Sequence, residues 1–87
     1  MAISVHHQSD RQRFVINQDG SEVLLEYRML APQVIDFFRT YTPAALRGRG
    51  LAAQLVAAGV AHARERGWQV IGSCSHVADW LRRHPLA

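Results

Sequence analysis

Two glycines flanked by arginines form the stretch of this 87-residue chain that is best suited to bind an anion. Gly48 and Gly50 lack a Cβ and let the backbone approach a ligand closely, while Arg47 and Arg49 add positive charge. No Ser, Thr, Asp or Asn occurs from residue 43 to residue 53, so the helix-like run after the glycines has no side-chain cap. Because its first N–H groups need another acceptor, the stretch predicts a phosphate-binding turn.

Cys74 and His76 are the candidates for chemistry further along the chain. A thiolate is a nucleophile when its pKa is lowered, which a helix N-terminus or the charge of Arg39 could achieve for Cys74. The imidazole of His76 can exchange a proton near neutral pH. The alternatives are a small buried apolar side chain for Cys74 and a surface or capping role for His76. The other four histidines lack ligand spacing with each other or with Cys74, so no metal site is predicted.

The first half of the chain predicts antiparallel strands. Residues 13–16 and 22–30 flank an Asp-Gly dipeptide, which favours a tight hairpin turn. Residues 34–41 carry large apolar side chains on both alternating faces, which predicts a central strand covered on both sides. Residues 1–12 are mostly polar and are expected to fray or to form a short leader. Strict alternation places on one face of the third strand Val34, Asp36, Phe38 and Thr40.

The second half predicts a helix, a strand and a short helix. Apolar residues recur with helical spacing from Gly50 to Arg66, and a short strand over 68–71 follows. A last helix over 77–83 is expected, with Ser75 as its N-cap. A strand, a helix and a strand in succession imply a parallel pair with a right-handed crossover. The predicted fold class is α/β (α+β), with antiparallel strands followed by a β-α-β crossover and a short C-terminal helix.

Composition limits the partners and the compartment of this single domain, which spans 1–87. The net charge is +3 and all ten basic residues are Arg, which favours anionic ligands. Acidic residues lie between the scattered arginines, so the sequence favours a small phosphorylated ligand over nucleic acid. One cysteine excludes an internal disulfide and fits a reducing compartment. The longest apolar-rich run is too short to cross a bilayer, so a cytoplasmic protein without a membrane partner is expected.

Arg47 to Ala52 fits the pattern Gln/Arg-x-x-Gly-x-Gly/Ala. This stretch resembles the pyrophosphate-binding turn of the GNAT superfamily of N-acetyltransferases. The resemblance to a short, stand-alone branch of that superfamily covers about Ser21 to Pro85, and it is carried by Thr40, Pro43, Leu46 to Ala52, Ala63, Cys74, Val77 and Arg83-His84-Pro85.

The resemblance implies a minimal GNAT-like acyl-CoA N-acyltransferase fold that binds acetyl-coenzyme A. It implies an N-acetyltransferase that moves acetyl from the thioester to an amine acceptor of unknown identity, as a monomer or a weak homodimer. The implied cofactor-binding residues are Tyr41, Thr42, Arg47, Gly48, Arg49, Gly50, Leu51 and Ala52, and the candidates for catalysis are Cys74 and His76.

Three positions depart from the pattern of that branch. Arg39 stands where a His is common, Gly72 where a Pro is usual, and His76 where an aromatic residue is usual. Arg39 stays protonated and cannot serve as a general base. The alternative function is therefore a non-catalytic module that binds coenzyme A or another nucleotide, or a small basic domain that binds nucleic acid.

Overall fold

A five-stranded sheet with two helices makes up the computed structural model, which describes residues 3–85. The elements in chain order are β1 (Val5–Gln8), β2 (Arg13–Gln18), β3 (Ser21–Ala31), β4 (Val34–Tyr41), α1 (Leu51–Glu65), β5 (Gln69–Gly72) and α2 (Ser75–Arg83). The sheet order is β1-β2-β3-β4-β5, in which β1 to β4 are antiparallel neighbours and β5 pairs with β4 in parallel. The predicted fold class, with its β-α-β unit, is confirmed.

The β2–β3 hairpin turns on two residues in the left-handed region. Asp19 has φ 52° and Gly20 has φ 76°, the combination that matches the right-handed twist of the flanking strands. This turn sets a register in which Ile16 pairs with Val23 and Phe14 with Leu25. All four side chains are buried in the core, so the hairpin predicted from the Asp-Gly dipeptide is confirmed.

The N-terminal segment forms a strand, and the expectation that it frays is wrong for the part that the structure describes. In β1, Val5 pairs with Ile16 and His7 with Phe14. The ring of His7 stacks on that of Phe14 with centroids 4.2 Å apart, and its Nε2 lies 2.7 Å from the Tyr27 hydroxyl. Polar and aromatic contacts hold this strand, which a search for apolar alternation does not detect.

A β-bulge in β4 changes which residues share a face. Glu26 pairs with Arg39 while Tyr27 pairs with Phe37, so Phe38 is the extra residue. Thr40 therefore pairs with Leu25 on the core side, and the prediction that it shares a face with Phe38 is wrong. Strict alternation cannot anticipate a bulge, because the inserted residue reverses the facing of every residue after it.

Both helices pack on one face of the sheet, so the expectation that β4 is covered on both sides is also wrong. The core joins strand residues such as Ile35 and Phe37 to Val60 of α1 and Val77 of α2. On the other face Phe38 is 36% exposed, beneath the guanidinium of Arg28, which lies 5.0 Å from its ring centroid.

The ends of the helices follow from local backbone geometry. Gly67, with φ 73°, follows the C-cap Arg66 of α1, as predicted for a C′ glycine. The N-cap of α2 is Cys74 and not Ser75, which is the first residue of the helix. Within residues 3–85, neither helix has the length and apolarity needed to traverse a bilayer.

Candidate functional site

The segment between β4 and α1 is a tight turn that requires two glycines. A short 3₁₀ turn over Ala44–Leu46 places the side chain of Leu46 in the core. Gly48 and Gly50 then adopt φ 83° and 73°. A Cβ at either position would meet no atom within 4 Å. The left-handed backbone, and not crowding, is therefore what favours glycine at both positions.

Helix α1 begins with unsatisfied amides that point out of this turn. Gly50 is the N-cap and no side chain within the described residues caps the helix. The first helical bond runs from the Gln54 amide to the Gly50 carbonyl, at 3.2 Å. The amides of Leu51, Ala52 and Ala53 precede that bond, at the positive end of a 15-residue helix. The sequence-based prediction of an uncapped helix start is confirmed.

A cleft of about 240 Å³ lies directly in front of these amides. It is lined by Thr42, Leu46, Arg47, Gly48, Gly50, Leu51, Ala52, Ala53 and His76. A second cleft of similar size shares Ala53 and His76 with the first and continues to Trp80, Arg83 and His84 of the α2 end. Together the two clefts make a groove between the start of α1 and the outer side of α2.

The two arginines of the turn have different partners. Arg47 lines the first cleft, and its Nε donates a hydrogen bond to the Thr42 carbonyl at 3.0 Å. Arg49 instead pairs with Asp19 of the β2–β3 turn at 2.9 Å. A positive charge therefore lies at the cleft on Arg47, while the charge of Arg49 is partly neutralised beside the hairpin.

Strands β4 and β5 part next to the cleft. The last paired residues are Phe37 and Gly72, and the Cys74 amide still donates to the Phe37 carbonyl at 3.2 Å. Strand β4 continues to Tyr41 without a β5 partner, so its backbone edge is open to an extended ligand. Gly72 also allows close packing, because a Cβ there would lie 3.0 Å from the backbone nitrogen of Ala78 in α2.

Cys74 lies where the two strands part, with its Sγ 3.7 Å from the Thr40 hydroxyl. Burial raises the pKa of this thiol, but amides at the start of α2 and the Thr40 hydroxyl outweigh burial, so that the pKa falls below the ordinary value. The helix amides are those of Val77 and His76. Together with the Thr40 amide, they favour the thiolate at the N-terminal end of α2.

Arg39 does not contribute to the lowered pKa of Cys74, although the sequence offered it as a possible source. Its guanidinium pairs with Glu26 and lies over the ring of Tyr41, 5.7 Å from the centroid. The bulge at Phe38 places Arg39 on the sheet face opposite to Phe37 and to the two helices.

The structure brings most of the predicted site residues to one cleft. Those that line it are Thr42, Arg47, Gly48, Gly50, Leu51, Ala52 and His76. Tyr41 faces a different depression with Leu24 and Pro43. Arg49 is directed to Asp19 and Cys74 lies beside Thr40. Leu46 and Ala53 complete the lining and were not predicted, since an apolar residue in a turn carries no chemical signal.

A cluster of metal ligands is not found among residues 3–85, where no three His, Cys, Asp or Glu side chains are grouped. Three histidines contact other rings: His7 and His62 lie edge to face with centroids 4.5 Å apart, and His84 stacks on Trp80 with centroids 4.2 Å apart.

Comparison with known proteins gives consistent matches. A family model described as GCN5-related N-acetyltransferase matches residues 13–87. Protein NATD1 of Gallus gallus is 27% identical over 86 residues, covering 97% of this chain and 78% of the relative. Protein NATD1 of Homo sapiens is also 27% identical over 86 residues, covering 97% of this chain and 76% of the relative.

A solved structure shares the fold. The NMR structure of a GCN5-like protein from Staphylococcus aureus superimposes with a TM-score of 0.73 at 26% identity, covering 93% of this chain and 79% of that one. The fold of this chain is thus shared with a solved protein structure.

Proposed function

The chain belongs to the GCN5-related N-acetyltransferase family, and from this premise we propose that it binds acetyl-coenzyme A and transfers the acetyl group to an amine. The observation that carries the proposal is the set of uncapped amides at the start of α1, which open onto the cleft beside Arg47. A pyrophosphate is a suitable acceptor for these donors, because N–H groups and the helix dipole both favour negative charge.

The residues of the groove fit the parts of an extended nucleotide thioester. The amides from Gly48 to Ala53 hold the pyrophosphate, with Arg47 beside them. The unpaired edge at the end of β4, with Tyr41 and the following Thr42, pairs with the pantetheine arm as an added strand would. Arg83, at the far end of the groove, faces the nucleotide portion. When bound, the thioester supplies an acetyl group that an amine can attack.

Cys74 and His76 are the side chains of this chain placed to assist the transfer. The lowered pKa of Cys74 increases its thiolate fraction near neutral pH, and the thiol can hold a proton or contact the acetyl group at the strand divergence. His76 lines both clefts and can exchange a proton with an acceptor amine. A reducing, cytoplasmic compartment suits a free thiol in this role.

Two-dimensional NMR during titration with acetyl-coenzyme A tests the proposal. We expect large amide shifts confined to residues 40–53 and 72–77, because these residues form the turn, the strand edge and the start of α2. Matched variants sharpen the result. Arg47→Ala should raise Kd by about three- to tenfold, as expected for the loss of one charge-assisted contact, whereas Arg49→Ala, tied to Asp19, should change Kd less than Arg47→Ala does.

The absence of any shift at millimolar acetyl-coenzyme A would refute the proposal. Binding without formation of an acetylated amine, across peptide N-termini and polyamines, would favour the non-catalytic coenzyme A-binding module. Cys74→Ala separates the two roles of the thiol. The variant should lose turnover if the sulfur carries the acetyl group, and should keep turnover if Cys74 only packs beside Thr40.

A further inference from the structure

Asp36 is the charged side chain that is buried among the described residues. It lies in the middle of β4 with 1% of its surface exposed. Burial of a carboxylate is costly unless hydrogen bonds compensate for the lost water. The proposed chemistry does not use Asp36, so its position needs a separate explanation.

Three hydrogen bonds satisfy this carboxylate, and two of them come from one residue. Oδ1 accepts the Ser73 amide at 3.0 Å, and Oδ2 accepts the Ser73 hydroxyl at 2.9 Å. Oδ2 also accepts Nε of Arg28 at 3.0 Å. Burial raises the pKa of Asp36, but the bonds from Ser73 and Arg28 more than offset it and leave the pKa below the ordinary value. The carboxylate is therefore ionised at neutral pH and accepts all three bonds.

The residue that Asp36 holds is the one immediately before Cys74. Gly72 is the last residue paired with β4, Ser73 is bound by Asp36, and the Cys74 amide donates to the Phe37 carbonyl. Three successive residues are thus tied to β4 at the point where the chain leaves the sheet and enters α2. Without the Ser73 bonds, two described contacts to β4 would remain beyond the end of the ladder, namely the 3.2 Å bond from the Cys74 amide and the 3.7 Å contact of Cys74 Sγ with the Thr40 hydroxyl.

We infer that Asp36 is a positioning residue which, through Ser73, places the Cys74 sulfur between Thr40 and the first amides of α2. This inference deepens the proposed function and rests on it, because it concerns the geometry of the same site. The carboxylate lies behind Ser73 and need not touch a ligand. Its effect is to direct the chain so that the thiol faces the gap between β4 and β5.

The groups around the thiol allow a test whose sign is informative. Thr40 faces the sulfur from β4, His76 follows from α2, and the Asp36–Arg28 pair lies behind Ser73. Among the described residues, no charged side chain contributes to the lowered pKa of Cys74, which comes from amides and one hydroxyl. If the Cys74 sulfur moves away from the α2 amides and the Thr40 hydroxyl, the pKa of Cys74 should rise. If the only effect is the loss of the negative charge of Asp36, the pKa of Cys74 should fall.

The experiment measures the rate of alkylation of Cys74 by iodoacetamide as a function of pH. Because the chain has one cysteine, the reaction reports on this thiol alone. In Asp36→Asn and in Ser73→Ala, we expect the midpoint of the pH–rate profile to move upward. The rate at pH 7 should fall about three- to tenfold, since the thiolate is the reactive species. Far-UV circular dichroism confirms that each variant is folded.

Matched variants separate positioning from general effects. Ser73→Thr keeps the amide and the hydroxyl and should retain the wild-type profile. Asp10→Asn removes one exposed carboxylate from the turn after β1 and should also leave the profile unchanged. If Asp36 acts through Ser73, the double variant should show less than the sum of the two single effects.

A downward or unchanged midpoint in folded Asp36→Asn and Ser73→Ala would overturn the inference. If Asp36→Asn does not fold, Ser73→Ala decides alone, since it removes only one hydroxyl from a residue that is exposed as a whole. The readout needs no coenzyme. The two proposals can therefore fail separately. If the wild-type protein does not bind acetyl-coenzyme A, the proposed function is contradicted. An upward midpoint of alkylation in Asp36→Asn and Ser73→Ala would still support the positioning role of Asp36.

Discussion

Glycines in this chain are required for two different physical reasons, and the difference predicts separable effects. Gly50, at the start of α1, needs a left-handed backbone in open space. Gly59, in the middle of α1, lies where a Cβ would be 2.8 Å from Leu25 Cδ2 and 3.0 Å from Phe37 Cε1. The first position therefore concerns the conformation of the turn, and the second concerns the distance between helix and sheet.

Gly50→Ala and Gly59→Ala should each destabilise the protein but differ in ligand binding. Gly50→Ala should cost about 1–2 kcal/mol because an L-residue disfavours positive φ, and it should weaken acetyl-coenzyme A binding by moving the α1 amides. Gly59→Ala should cost about 1–3 kcal/mol through overpacking and leave Kd unchanged. Urea unfolding and calorimetric titration measure the two quantities. Equal loss of affinity in both variants would contradict this distinction.

At the scale of elements, the contact between β1 and α1 depends on two histidines. His7 of β1 and His62 of α1 lie edge to face, and both pack against Phe14. Burial lowers the pKa of each below 6.5, and the Arg66 charge lowers both further. Mutual repulsion also lowers the pKa of His62, while Glu65 opposes the shift. The folded protein therefore holds both rings neutral over a pH range in which the unfolded chain protonates them.

Stability should consequently fall as the pH drops below about 6.5. In that window the unfolded state binds more protons than the folded state, so acidification favours unfolding. His62→Phe keeps a ring against Phe14 and should lose less stability between pH 7 and pH 5 than the wild-type protein. His6→Phe, on the exposed side of β1, is the control. Asp36 adds no slope there, because its pKa lies below 3.8. Parallel wild-type and His62→Phe curves in urea unfolding would refute the role of this contact.

Elements with strong local patterns could be predicted from the sequence. The Asp-Gly hairpin, strand β4, helix α1 and the parallel strand β5 all follow from turn chemistry or apolar spacing. Strand β1 could not, because its contacts are a stacked imidazole and a hydrogen bond to Tyr27, which lies 20 residues away. The bulge at Phe38 was also hidden, since it depends on the pairing of two strands.

In the candidate site, too, features that depend on neighbouring residues could be predicted, and features that depend on distant residues could not. The glycine turn and the uncapped start of α1 could be predicted because glycine spacing and the missing cap are local properties of the chain, whereas binding of an anion there stays a prediction. The Asp36–Ser73 bond joins residues 37 positions apart, so no local pattern reveals it. The source of the lowered pKa of Cys74 was half anticipated. The prediction that a helix N-terminus lowers this pKa is confirmed by the contribution of the α2 amides. The prediction that Arg39 could do so is wrong, because the bulge places Arg39 on the face away from the helices.

At the scale of the whole molecule, ion pairs with carboxylates partly neutralise many of the arginines in the part of the chain that the structure describes. Arg13, Arg28 and Arg39 pair with carboxylates on the sheet. Arg49 pairs across to the hairpin turn, while Asp79 is shared by the two arginines of α2. Nucleic acid needs several phosphate contacts along one surface. This distribution of charge agrees better with the proposed short anionic ligand at the α1 turn than with a nucleic-acid surface.

This charge distribution predicts weak, non-specific binding to nucleic acid. Fluorescence anisotropy with a labelled 20-nucleotide strand in 150 mM salt should show no saturation below about 100 µM, the weak end of non-specific binding. Coenzyme A should bind under the same conditions. Any remaining change in anisotropy should depend on Arg47, because this residue lines the cleft in front of the α1 amides and makes no ion pair among the described residues. The opposite result would be micromolar binding of the oligonucleotide that persists in Arg47→Ala and weakens steeply with salt. It would favour the nucleic-acid module, because only contacts distributed over several arginines would produce both observations.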